Sequence, residues 1–267
     1  MLYLPVVQGM PKSQDLNPIG FRTPFDVGIK FENITIYTSD NIKLHGWICK
    51  LENSQNVPTV IYFHENAGNI GTRIHYLKKY QQLANVNIVL IAYRGYSNSD
   101  GSPSEQGLQN DSIAILNHIF SRNDINTEQI FIHGRSLGGA LTIYVAAEHN
   151  YNVKGYIIEN TFTSISDMVD IVFPQLKYIQ FIKNKLITNK WESINRIDKI
   201  QKPILFIASL KDQLVPSQQM YKLYEKCKSQ YKNMYTIQDG DHNNSWNVDP
   251  YNYFNQVQKF MNISLQK

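Results

Sequence analysis

Alternating and uniformly apolar segments along the first half of the chain predict a hairpin followed by buried strands and helices. Residues 32–38 (ENITIYT) alternate between apolar and polar positions, and residues 42–52 (IKLHGWICKLE) follow after the turn residues SDN. This pattern predicts a β-hairpin. Short apolar runs at 58–64 (PTVIYFH), 87–93 (NIVLIAY) and 129–133 (QIFIH) are typical of strands buried on both faces.

The segments between these strands have helical spacing. Residues 71–84 place Ile74, Leu77, Tyr80 and Leu83 at three-residue steps, and residues 104–120 open with Ser104, a residue type that caps helices. Residues 137–149 then read as a small-residue helix. The same alternation continues with strands at 153–159, 203–209 and 233–238 and helices at 217–228 and 250–263.

Strands that alternate with helices predict an α/β fold with a mostly parallel central sheet and helices on both faces. The 267 residues suit one large domain. Residues 1–27 are rich in proline, glycine and polar residues and are interpreted as an extended lead-in, so that 28–267 form the domain. Residues 161–202 exceed one crossover helix, and we expect a short helical cap at about 162–200, between the sixth strand and the next.

A single serine stands between two glycines where the third buried strand meets its helix. The residues are Gly134-Arg135-Ser136-Leu137-Gly138, and strand, G-x-S-x-G, helix is the context of a nucleophile elbow. Gly134 and Gly138 leave room for a sharp turn because they have no Cβ. The turn would lift the Ser136 hydroxyl above the carboxyl edge of the sheet, where ligands bind in open α/β sheets.

A serine nucleophile needs a base, and the base needs an acid that orients it. On this fold the chain order is Ser, then Asp or Glu, then His. Asp212 follows the strand at 203–209, and His242 lies in the loop after the last strand. Ser136, Asp212 and His242 are therefore the predicted triad.

Other polar residues near the strand ends have simpler interpretations. Asp239 and Asp241 share the His242 loop, where turn formation explains them. His133 lies within a strand and suits packing, whereas His64 suits a structural hydrogen bond.

Arg94 near the rim could bind an anionic substrate group, or it ties loops together by salt bridges, which is the more common role. Glu159 and Asn160 end the strand before the cap and are interpreted as residues that form hydrogen bonds at a hinge.

Two backbone amides are expected to form the oxyanion hole. The Leu137 amide lies at a helix N-terminus, directly after the nucleophile. The second donor on this fold comes from the loop after the 58–64 strand, which reads His64-Glu65-Asn66-Ala67-Gly68-Asn69, and Asn66 is the candidate.

Six motifs in order resemble the Bem46-like branch of the α/β-hydrolases, the group that includes α/β-hydrolase domain-containing protein 13. They are FHENAGNIGTR, AYRGYSNSDGSPSEQGLQND, HGRSLGGA, IIENTFTSI, SLKDQLVP and DGDHNNSW. The resemblance covers roughly residues 28–258. It implies Ser136 as nucleophile, Asp212 as acid, His242 as base, and Asn66 with Leu137 as the oxyanion hole.

The chain departs from this family at Glu65, where relatives usually have a small residue. The carboxylate would either repel a developing oxyanion or point away, in which case the backbone of Asn66 alone matters. Relatives also commonly have a membrane-anchoring segment ahead of the domain, and this chain begins where that segment would end. Localisation is therefore open between a soluble, cytoplasmic protein and an endomembrane association.

The predicted cap is amphipathic, with two interpretations. Its apolar residues could cover the pocket while its lysines stay in water, or a basic, aromatic face could rest on an anionic membrane and admit lipid-like substrates. The residues concerned are Phe173, Leu176, Tyr178, Ile179, Phe181, Ile182, Leu186 and Trp191, with Lys177, Lys183, Lys185 and Lys190.

Composition narrows the function further. The net charge of +4 is only mildly basic, whereas nucleic-acid binding needs a dense stripe of basic residues. Cys49 and Cys227 form neither a metal motif nor a disulfide framework. We expect a serine hydrolase that cleaves an ester or thioester of a small or lipid-like acyl substrate through an acyl-enzyme, without metal or cofactor. An amidase or peptidase of the same fold, or a non-catalytic scaffold, is the alternative.

Overall fold

A single mixed sheet organises the part of the chain that the computed structural model describes, residues 3–173 and 187–267. Within it eight strands lie in the order β1-β2-β4-β3-β5-β6-β7-β8. Their bounds are β1 Glu32–Tyr37, β2 Lys43–Cys49, β3 Thr59–Phe63, β4 Asn87–Ile91, β5 Ile130–Arg135, β6 Val153–Glu159, β7 Ile204–Ser209 and β8 Lys232–Ile237.

The predicted hairpin and parallel sheet are both present. β1 pairs antiparallel with β2, with Ile36 opposite Leu44, and β2 pairs antiparallel with β4. The pairings of β3 with β4 and β5, and of β5 through β8 in succession, are parallel. Every residue of β3, β4, β5 and β7 is buried, as their uniformly apolar sequences predict.

Helices connect the parallel strands at the predicted places. The described helices are α1 Ile74–Ala84, α2 Glu105–Phe120, α3 Leu137–Glu148, α4 Ile165–Val172, α5 Gln218–Lys226, α6 Ser245–Val248 and α7 Pro250–Ser264. The Ser104 hydroxyl accepts a hydrogen bond from the Gly107 amide at 3.0 Å and so caps α2, as expected from its sequence position.

The order of the strands places helices on both faces of the sheet. The chain passes from β3 to β4 in one direction and from β4 to β5 in the other, and right-handed crossovers therefore put α1 and α2 on opposite faces. α7 packs against α1, and α3 packs against α2. The apolar core lies between these layers, and the α/β-hydrolase fold predicted from sequence is confirmed.

The N-terminal residues differ from a plain extended lead-in. Two short 3-10 turns occur at Gln14–Leu16 and Pro24–Val27, and the chain folds back between Val7 and Met10. The amides of Asn17 and Asn69 exchange two hydrogen bonds of 2.8 and 2.9 Å. These contacts fasten the N-terminal segment to the loop after β3.

The predicted cap region is described at its two ends. α4 covers its beginning, and 3-10 turns at Ser193–Asn195 and Ile197–Lys199 cover its end. Residues 174–186, with most of the predicted amphipathic face, lie outside the described residues. Trp191, one of the predicted apolar cap residues, is fully buried and therefore does not contribute to an exposed aromatic face: its indole N–H donates to the Tyr3 hydroxyl at 3.0 Å.

The length and apolar composition of a helix decide whether it could cross a membrane. Across residues 3–173 and 187–267, no helix combines the length and apolar composition that crossing a bilayer requires.

Candidate active site

The carboxyl ends of four parallel strands bring the predicted site residues to one edge of the sheet. Asn66 follows β3, Ser136 follows β5, Asp212 follows β7 and His242 follows β8. The chain turns in opposite directions on leaving β3 and β4, so the site lies at the point where the strand order reverses, where α/β sheets bind ligands.

Ser136 has a strained backbone conformation at the tip of the turn. Its φ is 54° and its ψ is −118°, outside the regions that residues with a Cβ normally occupy. Its amide donates to the Glu159 carbonyl at 2.9 Å, and its carbonyl accepts from the Thr161 hydroxyl at 2.7 Å. Residues at the carboxyl end of β6 therefore hold a conformation that costs about 1–3 kcal/mol.

The two glycines of the motif are required for close approach. A Cβ on Gly134 would lie 2.0 Å from the Gly138 carbonyl oxygen, and a Cβ on Gly138 would lie 1.9 Å from the Phe63 carbonyl oxygen. Both distances are much shorter than a van der Waals contact, and the atoms approached belong to the backbone, which cannot move aside easily. The two glycines therefore provide the space that the turn needs, as predicted from the motif.

The structure brings Ser136, His242 and Asp212 into one hydrogen-bonded chain. His242 Nε2 lies 3.0 Å from Ser136 Oγ, and His242 Nδ1 lies 2.7 Å from Asp212 Oδ2. Asp212 Oδ1 accepts hydrogen bonds from the backbone amides of Leu214 and Val215, at 2.9 and 2.8 Å. The carboxylate is thereby fixed from both sides, and it in turn fixes the imidazole.

The two other aspartates near His242 have the structural roles expected of them. Asp241 Oδ1 accepts from the amides of Asn243 and Asn244 and so forms the turn that carries His242. Asp239 is exposed and pairs with Lys211 at 2.7 Å.

The loop after β3 lies at the same cavity as Ser136 and contains the predicted second amide donor. Asn66 and Leu137 both line the cavity that contains Ser136 and His242. The Asn66 side chain is engaged elsewhere, since its Oδ1 accepts from the Tyr96 hydroxyl at 2.7 Å and from the Leu4 amide at 3.3 Å. Leu137 is the first residue of α3, where backbone N–H groups have no partner within the helix. Both residues of the predicted oxyanion hole therefore border the same cavity as Ser136.

Glu65 is held in a buried ion pair with two arginines. Its Oε1 lies 2.7 Å from Arg135 and accepts from the Tyr62 hydroxyl at 3.0 Å, while its Oε2 accepts from Arg73 at 3.0 Å. Burial alone would raise the pKa of Glu65, but the charges of Arg135 and Arg73 outweigh it and hold the pKa well below its usual range. The carboxylate is therefore ionised and neutralised by its partners.

Arg73 also binds the backbone of the same loop. Its guanidinium donates to the carbonyls of Ala67 and Asn69, besides the Glu65 carboxylate. Arg73 therefore fixes the loop that carries Asn66, and sequence reasoning assigned it no role, although it ends the quoted FHENAGNIGTR motif.

Replacing Glu65 by Gln tests this buried pair through the pH dependence of stability. Because the folded pKa is depressed, the contribution of Glu65 is present above its unfolded pKa of about 4.3 and is lost as the pH falls through the folded pKa. Urea unfolding at pH 7 is expected to show Glu65→Gln less stable by about 3–5 kcal/mol, because two buried guanidiniums lose their partner. The difference should shrink below about pH 4.

Glu52→Gln is the matched control for this measurement. Glu52 pairs with Lys30 at 3.4 Å, with both side chains almost fully exposed, and should contribute less than about 1 kcal/mol. A Glu65→Gln deficit that stays constant between pH 7 and pH 3 would show that the ionised pair is not its cause.

Two histidines near the site are structural. His64 Nδ1 donates to the Glu65 carbonyl at 2.7 Å, and burial, with the nearby Arg73 charge, lowers the pKa of His64 to about 3. His133 is buried among tyrosines and lies 3.3 Å from Glu159. Neither histidine contacts Ser136, and both predictions of a packing or hydrogen-bonding role are confirmed.

Arg94 and Asn160 tie segments together, as predicted. Arg94 Nε donates to buried Asp111 at 2.8 Å, and its terminal nitrogens bind Asp40. The Asn160 side chain donates to the hydroxyls of Ser209 and Ser245, at 3.2 and 3.0 Å. These contacts join the ends of β6 and β7 to the loop that carries His242.

A largely apolar cavity of about 750 Å³ opens beside Ser136. Among the apolar residues that line it are Leu4, Met10, Phe162, Ile165, Met168, Leu214, Val215 and Trp246. Sequence reasoning did not predict Leu4 and Met10 here, because nothing in the first 27 residues indicates what they contact. As to metals, residues 3–173 and 187–267 contain no group of three His, Cys, Asp or Glu side chains arranged to hold an ion.

Comparison with known proteins supports the fold and the family. The model of the prolyl oligopeptidase family matches residues 104–267. The chain is 36% identical over 234 residues to α/β-hydrolase domain-containing protein WAV2 of Arabidopsis thaliana, covering 85% of this chain and 74% of that protein. It is 36% identical over 241 residues to protein bem46 of Schizosaccharomyces pombe, covering 90% and 79%.

A solved structure shares the fold at low sequence identity. The Pyrococcus furiosus esterase Pf2001 superposes with a TM-score of 0.75 at 19% identity, covering 92% of this chain and 97% of that one. The fold and the arrangement of strand ends define the class of protein as an α/β-hydrolase. Within that class, the identities with WAV2 and bem46 show that the chain belongs to the Bem46-like family, as the sequence motifs indicated.

Proposed function

We propose that this protein is a serine hydrolase that cleaves an ester or thioester through a covalent acyl-enzyme. The observation that carries the proposal is the 3.0 Å contact between His242 Nε2 and Ser136 Oγ, continued by the 2.7 Å contact from Nδ1 to Asp212. Both contacts are within reach for proton transfer. They join residues 106 and 30 positions apart in the chain, at three different strand ends.

The chemistry follows from the direction of these hydrogen bonds. His242 Nε2 accepts the Ser136 proton as Oγ attacks the substrate carbonyl carbon, and Asp212 stabilises the imidazolium that forms. The tetrahedral intermediate collapses when the imidazolium gives that proton to the departing alcohol or thiol. Water then attacks the acyl-enzyme in the same way, returns the proton to Ser136 through His242, and releases the acid.

We assign the oxyanion hole to the backbone amides of Asn66 and Leu137. They flank Ser136 from the β3 loop and from the N-terminus of α3, and the helix dipole adds positive potential at Leu137. Glu65 does not oppose this role, because its carboxylate is turned into the ion pair with Arg73 and Arg135. Loss of one such donor costs about 10²–10³ in rate in related chemistry.

The cavity supports an acyl substrate with an apolar chain. Its walls near the serine are mostly aliphatic and aromatic, for example Phe162, Met168 and Trp246. An apolar chain of several methylenes would gain about 0.8 kcal/mol for each group buried there. Pf2001, which shares the fold, is described as an esterase, and this favours an ester as the substrate.

A second candidate is a peptidase or amidase on the same site. The family model that matches residues 104–267 is described as the prolyl oligopeptidase family, which favours a leaving amine. The same serine, base and acid would act, but His242 would protonate a nitrogen instead of an oxygen or sulfur. Peptide and ester substrates therefore distinguish the two activities.

A fluorophosphonate probe tests the proposal on the native protein. It reacts with activated serines, and we expect a single adduct on the tryptic peptide that contains Ser136. Hydrolysis of p-nitrophenyl esters, acyl thioesters and prolyl-peptide amides, assayed side by side, then identifies the leaving group. No adduct and no hydrolysis would favour a non-catalytic scaffold and overturn the proposal.

A further inference from the structure

The N-terminal strap, defined as residues Tyr3–Met10, contacts the oxyanion loop directly. The Leu4 carbonyl accepts a hydrogen bond from the Gly68 amide at 3.0 Å, and the Leu4 amide donates to Asn66 Oδ1 at 3.3 Å. Leu4 also forms an isolated parallel bridge with Ala67. The strap is thus paired with the loop through its main chain, which leaves its side chains available for other contacts.

The strap is held in place at both of its ends. Tyr3 is buried, and its hydroxyl accepts from the Trp191 indole and donates to Asn189 Oδ1 at 3.1 Å. At the other end the chain turns at Gly9, whose φ of 81° suits glycine, and the Met10 amide donates to the Val7 carbonyl at 3.0 Å. The turn directs the Met10 sulfur towards Gly68.

Two side chains of the strap line the cavity beside Ser136. Leu4 and Met10 form part of its wall, whereas Val6 lies outside it and is 59% exposed. The strap stands at the β3 loop, and His242 stands beyond β5 at the β8 end of the site. Because His242 protonates the leaving group in the proposed mechanism, the leaving group would lie towards β8, and the acyl group would occupy the part of the cavity that Leu4 and Met10 line.

We propose that Leu4 and Met10 are specificity-determining residues that limit the size of the acyl group. This inference rests on the proposed function, since it concerns the acyl group that Ser136 would accept. Met10 is unbranched and adaptable, and Leu4 is 44% exposed, so the two form a wall at the cavity opening. Shortening either side chain should admit longer or bulkier acyl chains, while the main-chain contacts to the oxyanion loop remain.

The test compares kcat/KM for a series of p-nitrophenyl esters from butanoyl to hexadecanoyl. Leu4→Ala and Met10→Ala are expected to raise the ratio for long over short chains by about tenfold, and Leu4→Trp to lower it by about as much. Val6→Ala, in the same strap but outside the cavity, is the control and should leave the ratio unchanged. The rate of fluorophosphonate labelling at Ser136 reports separately on the triad.

The outcomes separate this inference from the proposed function. Labelled variants with the same chain-length ratio as the unchanged protein would overturn the inference alone. A uniform loss of activity on all chain lengths would do so too, since it would make the strap only a support for the loop. A native protein that neither labels nor hydrolyses any ester would remove the proposed function and this inference with it.

Discussion

Replacing Ser136 by Ala is expected to lower kcat for ester hydrolysis by about 10⁶-fold, the size of effect found when a triad nucleophile is removed. Ala cannot form the acyl-enzyme, and His242 Nε2 then faces a methyl group instead of a hydroxyl 3.0 Å away. The measurement is kcat on the best ester of the series, with residual activity compared with the buffer rate.

Ser217→Ala is the matched control for this substitution. Ser136 and Ser217 are equally buried, at 8% exposed, and the Ser217 side chain does not cap the helix that follows it. Ser217→Ala should retain activity. Thermal unfolding of Ser136→Ala should show no loss of stability. Removing the buried hydroxyl costs the hydrogen bond to His242, but it also removes the desolvation cost of a buried polar group. Hydrolysis retained by Ser136→Ala would assign the chemistry to another residue.

The sequence could predict the sheet because its strands are buried on both faces. Runs such as IVLI and ILFIA are apolar at successive positions, and their short length and β-branched residues favour a covered parallel strand over a buried helix. Parallel strands also place their carboxyl ends at one edge. Polar residues that follow them, such as Ser136 and Asp212, were therefore predictable as neighbours despite their separation in sequence.

The orientation of the Glu65 side chain could not be predicted from the sequence in the same way. It depends on Arg73, at the end of the short 3-10 turn that follows the loop, and on Arg135, 70 positions away at the end of β5. Each arginine alone reads as an ordinary polar residue in its own motif. The fold brings the three charges together, and the resulting ion pair removes the carboxylate as an obstacle to an oxyanion.

The packing of the N-terminal strap and of Trp191 could not be predicted from the sequence either. No periodicity marks residues 3–10, because their contacts are made one at a time with Asn66, Gly68 and Trp191. Trp191 reads as one residue of an amphipathic cap, yet the Tyr3 hydroxyl provides the partner that its indole N–H needs for burial. Such pairings follow from tertiary contacts between distant segments and leave no local pattern.

Replacing Asp212 by Asn is expected to lower kcat by about 10⁴-fold while the protein stays folded. The Asn carbonyl oxygen can still accept from the amides of Leu214 and Val215, as Asp212 Oδ1 does. Its amide nitrogen then takes the place of Oδ2, 2.7 Å from His242 Nδ1, and donates where the carboxylate accepted. His242 must carry its proton on Nε2 and can no longer accept the proton of Ser136.

The pH profile distinguishes this tautomer effect from a disturbed loop. With the imidazole reversed, attack has to rely on hydroxide, so the residual activity of Asp212→Asn should rise with pH beyond the range where the unchanged protein reaches its plateau. Asp239→Asn is the control, because Asp239 is an exposed partner of Lys211 in the loop that carries His242. It should match the unchanged protein in rate and in pH profile. Equal losses in the two variants would mean that the acid is not Asp212.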